Sequence, residues 1–325
     1  RLFSQEPYRH NYPHCWRTDT PLIYRCIDAW FINVEAIKDD LVANNMKTNW
    51  VPNHVKEARF HNWLKNAKDW CVSRSRYWGT PIPIWISDDG EEIRCIGSVT
   101  ELEEETGVTN FEDLHKEFID NLQIPSKEGR GMLKKIPDVF DCWYESGLCG
   151  LASQHYPFEN KKFFENNFPI DFISESLDQT RGWFYTLMVL STALFNKPAF
   201  KNVIVTGLIL AGDGKKMSKR LKNYTDPMKL IDRFGSDPLR LYLISAPVVR
   251  AEPFAFQDRG VQQIIRKLSP WYNGFKFFTQ CYTRYNKVFP EKKILYNTSN
   301  INVNNVMDIW IEEKLNSLVK VVRKE

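Results

Sequence analysis

The segment IDFISESLDQTRGWFYTLMVLSTALFNKPAFKNVIVTGLI, residues 170–209, holds two β-branched runs on either side of a long apolar stretch. Ile170–Ser174 and Asn202–Ile209 have the composition of buried strands, and Gln179–Phe195 has the length of a helix. Strand, helix and strand at this spacing are typical of a parallel βαβ unit, because parallel neighbours need a crossover of a dozen or more residues. The segment therefore predicts an α/β fold.

Helix signals follow on the C-terminal side. Asp226-Pro227 and Asp237-Pro238 each combine an N-cap residue with proline at the first helical position, and Gly235 is placed to end the first of these helices. Beyond residue 236 only helix patterns remain, at 238–246, about 259–285 and about 306–323. The sequence thus predicts an α/β body followed by a helical domain.

On the N-terminal side the pattern is less regular. Asp69–Arg74 is a short candidate for a buried strand. Residues 87–136 are acidic and interrupt the α/β pattern, so they are interpreted as an insertion, with a helix signal at Phe111–Leu122.

The composition indicates a soluble globular protein of about two domains. Apolar residues make up 43% of the 325 residues and charged residues 26%, which excludes a disordered or fibrous chain. No run of about 18 uncharged apolar residues occurs, so no membrane anchor is predicted. The seven cysteines are odd in number and contain no C-x-x-C pair, which favours free thiols in a reducing, cytoplasmic compartment and no structural zinc.

Charge is distributed unevenly along the chain. Residues 1–258 carry 32 Lys and Arg against 35 Asp and Glu, whereas residues 259–325 carry 12 against 5. A basic segment beside an acidic body indicates a polyanionic partner such as nucleic acid. The alternative is a solvated helical surface.

The sharpest motif is Gly212-Asp213-Gly214-Lys215-Lys216-Met217-Ser218-Lys219-Arg220, directly after the second strand. Its glycines let the backbone approach a ligand closely. Lys216 and Lys219 place ammonium groups where a polyphosphate can lie, and Ser218 adds a hydroxyl donor. Phosphoryl and nucleotidyl transfer depend on such charge neutralisation. The spacing is not that of a Walker A loop, and a solvated lysine-rich turn is the alternative.

Further stretches accompany the Lys-Met-Ser-Lys loop: CWRTDTPLIYR at 15–25, WCVSRSRYWGTPIP at 70–83, DCWYESG at 141–147 and SESLDQTRGWFY at 174–185. Together they resemble the class I aminoacyl-tRNA synthetases, and within them the isoleucyl-tRNA synthetases of eukaryotic and archaeal type. The likeness runs from about residue 8 to 315. The order DQTRGWF at 178–184 favours the isoleucyl enzymes over the valyl, leucyl and methionyl ones.

The resemblance implies the second half of a Rossmann-type parallel nucleotide-binding sheet, with insertions, followed by an α-helical domain. It implies isoleucine–tRNA ligase activity in the cytoplasm: ATP, accompanied by Mg²⁺, activates isoleucine to isoleucyl-adenylate, which is transferred to tRNA(Ile). The implied domains are a connective segment at 1–68, which follows the absent editing insertion, a catalytic core at 69–235 with its insertion at about 87–136, and an incomplete anticodon-binding domain at 236–325.

The resemblance also implies site residues. Lys216, Met217, Ser218 and Lys219 are assigned to ATP, with the two lysines holding the charge that builds on the β- and γ-phosphates. The aminoacyl-adenylate is assigned to five residues: Glu175, Asp178, Gln179, Trp143 and Trp183.

The reasons for these assignments differ. Glu175, Asp178 and Gln179 stand past a strand's carboxyl end and can hold ribose hydroxyls or an ammonium group. Trp143 and Trp183 are predicted walls of the isoleucine pocket, since a branched aliphatic side chain offers nothing to hydrogen-bond. The alternatives are a helix-dipole interaction for Glu175 and plain core packing for both tryptophans.

Two departures from the family pattern bear on function. The six histidines contain no His-x-Gly-His motif, the family's second ATP motif, so we expect the 325 residues alone to form no adenylate. A non-catalytic RNA-binding fragment is therefore the competing hypothesis. Cys15-Trp16-Arg17-Thr18 lacks the second cysteine of the bacterial zinc knuckle, so no metal ligands are predicted.

Overall fold

The computed structural model describes residues 3–15, 18–218, 222–293 and 305–324. The strands are β1 Phe31–Ile32, β2 Asn49–Val51, β3 Trp70–Cys71, β4 Ser73–Arg74, β5 Ile84–Ile86, β6 Ile93–Cys95, β7 Gln123–Pro125, β8 Met132–Lys135, β9 Val139–Phe140, β10 Ile170–Ser176, β11 Phe200–Thr206, β12 Ile209–Leu210 and β13 Phe254–Ala255. The helices are α1 Lys38–Met46, α2 His61–Lys65, α3 Val99–Thr106, α4 Lys116–Ile119, α5 Cys142–Gly147, α6 Cys149–Ala152, α7 Lys161–Asn167, α8 Trp183–Phe195, α9 Pro227–Phe234, α10 Ser236–Ile244, α11 Asp258–Val288 and α12 Val306–Lys324. A π-helix spans Val55–Phe60, and 3₁₀ turns span Glu35–Ile37, Leu177–Arg181, Pro247–Arg250 and Pro290–Lys292.

A parallel sheet in the order β10-β11-β2 confirms the predicted α/β fold class. β10 and β11 pair from Ile170 opposite Phe200 to Ser176 opposite Thr206, and α8 is the predicted crossover between them. β2 extends the sheet by pairing in parallel with β11. This short strand lies in the segment interpreted as connective, and three residues before a proline are too few for a periodic signal.

The main core explains the apolar run of the central helix. Residues Phe184 to Thr192 of α8 are buried without a break, so this helix has no solvent-facing stripe. Trp50 of β2 lies at the centre, with its ring centroid 4.8 Å from that of Phe60 and 5.6 Å from that of Phe184. The Trp50 Nε1 donates to Thr48 Oγ1 at 2.8 Å, so its polar group is satisfied inside the core.

Two predicted boundaries are shifted by local hydrogen bonds. The helix predicted from Gln179 begins at Trp183, because Leu177–Arg181 form a 3₁₀ turn and the Gln179 side chain accepts the Trp183 N–H at 3.0 Å. The strand predicted over 202–209 is divided into β11 and β12. The strand is interrupted at Gly207, because the Gly207 N–H donates to the Val248 carbonyl at 2.7 Å and not to a neighbouring strand of the parallel sheet.

Residues 1–224 and 243–256 form one compact unit, and residues 225–242 and 257–325 form a second. In the second unit, the Asp226 side chain accepts the Met228 N–H, and α9 ends at Gly235 with φ +86°, as predicted. α10 begins at Ser236, two residues before the predicted start at residue 238. The predicted domain bounds differ from this division and stay a prediction. Within the described ranges no helix is both long and apolar enough to cross a membrane.

An antiparallel sheet in the order β6-β5-β8-β7 takes three of its strands from the predicted insertion at about 87–136 and the fourth, β5, from the residues just before it. It has a core of its own, formed by Trp85, Ile96, Leu102, Ile124 and Leu133. The helix predicted over 111–122 is reduced to α4, because the Asp113 side chain accepts the His115 N–H at 2.7 Å and delays the first turn. Gln123 already belongs to β7.

An ion pair in this insertion predicts acid sensitivity. Arg94 Nη2 lies 2.5 Å from Glu105 Oε1, and the hydrogen bonds from Arg94 lower the pKa of Glu105 from 4.5 to about 2. Because the folded pKa is the lower one, the ionised carboxylate stabilises the fold above its unfolded pKa, and this contribution is lost as pH falls from about 4.5 to about 2. We expect Glu105→Gln to flatten the fall in thermal midpoint between pH 5 and pH 3, roughly the window of this titration. Glu104→Gln, at an exposed neighbour, should leave that fall unchanged, and equal pH profiles for both variants would contradict the assignment.

Candidate functional site

The carboxyl ends of β10, β11 and β2 lie at one edge of the parallel sheet, where open α/β sheets bind ligands. Glu175 stands at the end of β10 and is exposed. Among the described residues its carboxylate forms no hydrogen bond or ion pair. The 3₁₀ turn Leu177–Arg181 separates it from α8, so Glu175 does not cap that helix. Its carboxylate is therefore available to hydroxyl or ammonium groups of a ligand.

Asp178 and Gln179 are both engaged in local hydrogen bonds. Asp178 accepts from Ser176 Oγ and, at 3.2 Å, from Gln179 Nε2. Gln179 Oε1 accepts the N–H of Trp183, which is the first residue of α8. The exposed Asp178 carboxylate keeps acceptor capacity for a ligand, whereas the Gln179 carbonyl already caps a helix.

Both predicted tryptophans approach Gly182, directly before α8. Trp183 is half-buried, packs against the main core and donates from Nε1 to the Ser146 carbonyl of α5 at 2.9 Å. A Cβ on Gly182 would lie 3.5 Å from Cη2 of Trp143 and 2.8 Å from Gln179 Oε1. Trp143 is 40% exposed. The structure thus brings Trp143, Gln179 and Trp183 together around a glycine, and core packing accounts for part of the burial of Trp183.

Asp141 holds the helix that carries Trp143. Its Oδ1 accepts the Trp143 N–H at 3.1 Å, and its Oδ2 accepts from Arg74 Nη2 at 2.5 Å and from Trp70 Nε1 at 3.2 Å.

A cavity of about 420 Å³ lies beside these residues and is lined by Arg74, Arg76, Trp78, His115, Phe140, Asp141, Cys142, Trp143 and Glu145. Burial, together with the nearby Asp141 carboxylate, raises the pKa of the Cys142 thiol.

Removing the Asp141 carboxylate should destabilise the chain strongly. Asp141→Ala leaves the half-buried Arg74 guanidinium and the Trp70 indole N–H without this acceptor and removes the cap of α5, so we expect a loss of about 2 kcal/mol in unfolding free energy. The measurement is urea unfolding followed by tryptophan fluorescence. Asp171→Ala is the control, because its carboxylate forms an exposed ion pair with Lys201 at 2.6 Å, a type worth about 0–1 kcal/mol. Equal losses for both variants would contradict the role of Asp141.

The predicted ATP residues lie on a separate segment, residues 211–223, called here the lysine loop. Lys216 forms an isolated antiparallel β-bridge with Leu210, the last residue of β12. Beside it, the Ala211 N–H donates to the Lys215 carbonyl at 2.8 Å. Lys216 is exposed, and Met217 and Ser218 are half-buried. Lys219 lies outside the described residues. The exposed Lys216 can reach an anionic ligand from a fixed backbone position.

Asn53 and Asn223 were not among the predicted site residues. Asn53 follows the carboxyl end of β2 and donates from Nδ2 to Glu57 Oε1 at 2.5 Å; because the sequence does not predict β2, it does not point to Asn53 either. Asn223 contacts the lysine-loop backbone. The feature of the sequence that could have identified Asn223 is its position, as an amide side chain three residues after the lysine motif ends at Arg220. In the parts of the chain that the structure describes, no group of three or more His, Cys, Asp or Glu is arranged to hold a metal ion.

Comparison with known sequences points to one family. The family model described as class I tRNA synthetases (I, L, M and V) matches residues 10–255. The chain is 58% identical to the probable cytoplasmic isoleucine–tRNA ligase of Dictyostelium discoideum, in an alignment that covers all of this chain and 30% of that protein. It is 55% identical to cytoplasmic isoleucine–tRNA ligase of Caenorhabditis elegans, covering 100% of this chain and 28% of that protein. With the Saccharomyces cerevisiae enzyme of the same name the identity is 54%, and the coverage is 100% and 30%.

Solved structures support the fold alone, because their sequences are distant. Mycobacterium tuberculosis methionyl-tRNA synthetase in complex with methionyl-adenylate aligns with a TM-score of 0.58 at 17% identity, covering 96% of this chain and 50% of that one. The LeuRS–tRNA–LeuAMS complex of Agrobacterium radiobacter K84 aligns with a TM-score of 0.50 at 21% identity, covering 67% and 29%. The chain spans about 30% of the length of the curated relatives above.

Proposed function

Because the chain belongs to the class I tRNA synthetases of the I, L, M and V group, we propose that it is part of an isoleucine–tRNA ligase. The observation that carries this proposal is 54% to 58% identity, over the whole chain, to proteins of that name. Since those proteins are about three times longer, the reaction belongs to the full-length enzyme.

The proposed reaction has two steps. A carboxylate oxygen of isoleucine attacks the α-phosphorus of ATP, the bond to the β-phosphate breaks, and pyrophosphate leaves with the bonding electrons. A ribose hydroxyl at the 3′ end of tRNA(Ile) then takes the isoleucyl group from the adenylate and releases AMP. The first step accumulates negative charge on the leaving phosphates, and this charge is what the lysine loop is proposed to stabilise.

For the lysine loop we propose direct contacts to ATP through Lys216, Met217, Ser218 and Lys219. The exposed side chain of Lys216 and its tethered backbone support this role. Mg²⁺ accompanies ATP as part of the substrate. Glu175 and Asp178 are proposed to hold the ammonium and ribose hydroxyls of the adenylate, and Gln179 orients the turn that carries them.

For isoleucine we propose a pocket between Trp143 and Trp183. An aliphatic side chain is recognised by apolar area and shape, and these rings supply both beside Gly182, where a larger residue would fill the space. The basic helices beyond residue 258 are the proposed tRNA-facing part of this chain. Like the relatives named cytoplasmic, the protein is proposed to act in the cytoplasm.

Isoleucine-dependent exchange of pyrophosphate into ATP by the full-length enzyme tests the proposal. Trp143→Ala should raise the KM for isoleucine by about 10-fold or more, the effect of losing apolar contact in such a pocket, and leave the KM for ATP unchanged. Trp271→Ala is the control, because this tryptophan is 78% exposed on α11.

Two outcomes would count against the proposal. If the wild-type enzyme exchanges pyrophosphate better with valine, leucine or methionine than with isoleucine, the amino acid is wrong. If it binds tRNA but supports no exchange with any amino acid, the competing hypothesis of a non-catalytic RNA-binding protein gains instead.

A further inference from the structure

The side-chain amide of Asn223 joins two points of the lysine-loop backbone. Its Oδ1 accepts the Ser218 N–H at 2.9 Å, and its Nδ2 donates to the Lys216 carbonyl at 3.1 Å. The reversed amide would place donor against donor and acceptor against acceptor, so the two contacts fix its orientation. Asn223 is half-buried; its hydrogen bond to the Ser218 N–H is partly shielded from water, whereas its hydrogen bond to the Lys216 carbonyl is exposed.

The same backbone is held from other directions as well. Lys216 forms an antiparallel bridge with Leu210, at the end of β12. On the far side of the loop the Lys222 N–H donates to the Ser218 carbonyl at 2.9 Å. The Lys216 backbone is thus tied between β12 and Asn223, while its side chain stays exposed.

We propose that Asn223 is a positioning residue that holds the Lys216 ammonium group where the leaving pyrophosphate develops its charge. This inference rests on the proposed function, because it requires that ATP meets the lysine loop. A lysine side chain is long and flexible, so the place its ammonium group occupies depends on how firmly its backbone is anchored. Small displacements of a charged group cost a large part of its effect on a transition state.

The first experiment measures pyrophosphate exchange by the full-length enzyme. We expect Asn223→Ala to lower kcat about 10-fold, the effect of losing about 1.4 kcal/mol of hydrogen bonding that acts only through the transition state, with the KM for isoleucine unchanged. Asn223→Asp keeps the acceptor for the Ser218 N–H but loses the donor to Lys216, so its rate should be intermediate. Asn202→Ala is the matched control, since this exposed asparagine donates from Nδ2 to the Asp171 carbonyl at 2.9 Å, on β10.

A double mutant separates positioning from general stability. If Asn223 acts through Lys216, then Asn223→Ala should cost little further rate in an enzyme that already carries Lys216→Ala. If Asn223 only supports folding, the two losses multiply. Multiplying losses, or a wild-type rate in Asn223→Ala, would overturn the proposal.

A second readout does not require activity. Trypsin cuts after Lys215, Lys216 and Lys222, so loosening of the loop is visible as faster cleavage there. We expect Asn223→Ala to be cut about 10-fold faster at these sites, with Asn202→Ala cut at the wild-type rate. Wild-type cleavage of Asn223→Ala would overturn the proposal even in an active enzyme. If the wild-type enzyme supports no exchange with isoleucine, the proposed function fails, whereas the trypsin result still reports on the tether.

Discussion

We expect the replacement of Lys219 by alanine to lower the rate of the proposed isoleucyl-adenylate formation by the full-length enzyme about 100-fold, the size expected for one lost charge contact to a transition state. Lys219 lies outside the described residues, so this expectation rests on its place in the Lys-Met-Ser-Lys motif of the family that the chain belongs to. The pyrophosphate oxygens carry more charge in the transition state than in bound ATP, so the loss falls on kcat. Isoleucine binding should stay within about two-fold, because an apolar pocket does not use an ammonium group.

The measurement is pyrophosphate exchange at saturating ATP, with the KM for isoleucine determined separately. Lys215→Ala is the matched control, because Lys215 belongs to the same loop and its ammonium group lies 3.9 Å from the Asp213 carboxylate. Its rate should fall by no more than about three-fold, as for an exposed ion pair. A Lys219→Ala enzyme that keeps its rate and loses isoleucine affinity would show that the lysine serves the amino acid and not the phosphates.

Replacing Gly207 by alanine should cost about 3 kcal/mol or more in unfolding free energy. A Cβ at this position would lie 1.8 Å from the Glu252 carbonyl oxygen and 2.5 Å from its carbon. The obstacle is backbone, so no side-chain rotation can relieve the clash. Hydrogen bonds hold the two segments together on both sides of the contact, from Gly207 N–H to the Val248 carbonyl at 2.7 Å and from Phe254 N–H to the Leu208 carbonyl at 2.9 Å.

Urea unfolding of the 325-residue chain measures this loss. Gly212→Ala is the control, five residues further along, where the nearest atom to a new Cβ is the Phe256 carbonyl oxygen at an ordinary 3.4 Å. Because the clash at Gly207 separates β12 from β13, we also expect faster proteolysis of the lysine loop in Gly207→Ala. Equal stabilities of the two variants would mean that residues 248–256 shift at little cost.

The sequence by itself determined the βαβ unit, the helical C-terminal region and the lysine motif. Each of these depends on residues that are close along the chain. The β-branched run of β11 and the unbroken apolar run of α8 are visible without tertiary contacts, and Asp226-Pro227 with Gly235 marks both ends of α9. A helix that is buried on all sides has an unbroken apolar sequence, and a helix cap requires a particular type of residue at one position, so both features can be recognised in the sequence.

Only the tertiary structure decided the third strand of the sheet and the fine geometry of the site. β2 becomes a strand because Asn49–Val51 pairs with a partner far along the chain, and this pairing leaves no periodic signal in three residues. The Gln179 side chain accepts the N–H of the first residue of α8, and the Asp141 carboxylate accepts the N–H of Trp143. In the lysine loop, the Asn223 side chain accepts the Ser218 N–H. Hydrogen bonds of this kind depend on the position of one side-chain atom in space, which neither composition nor periodicity encodes.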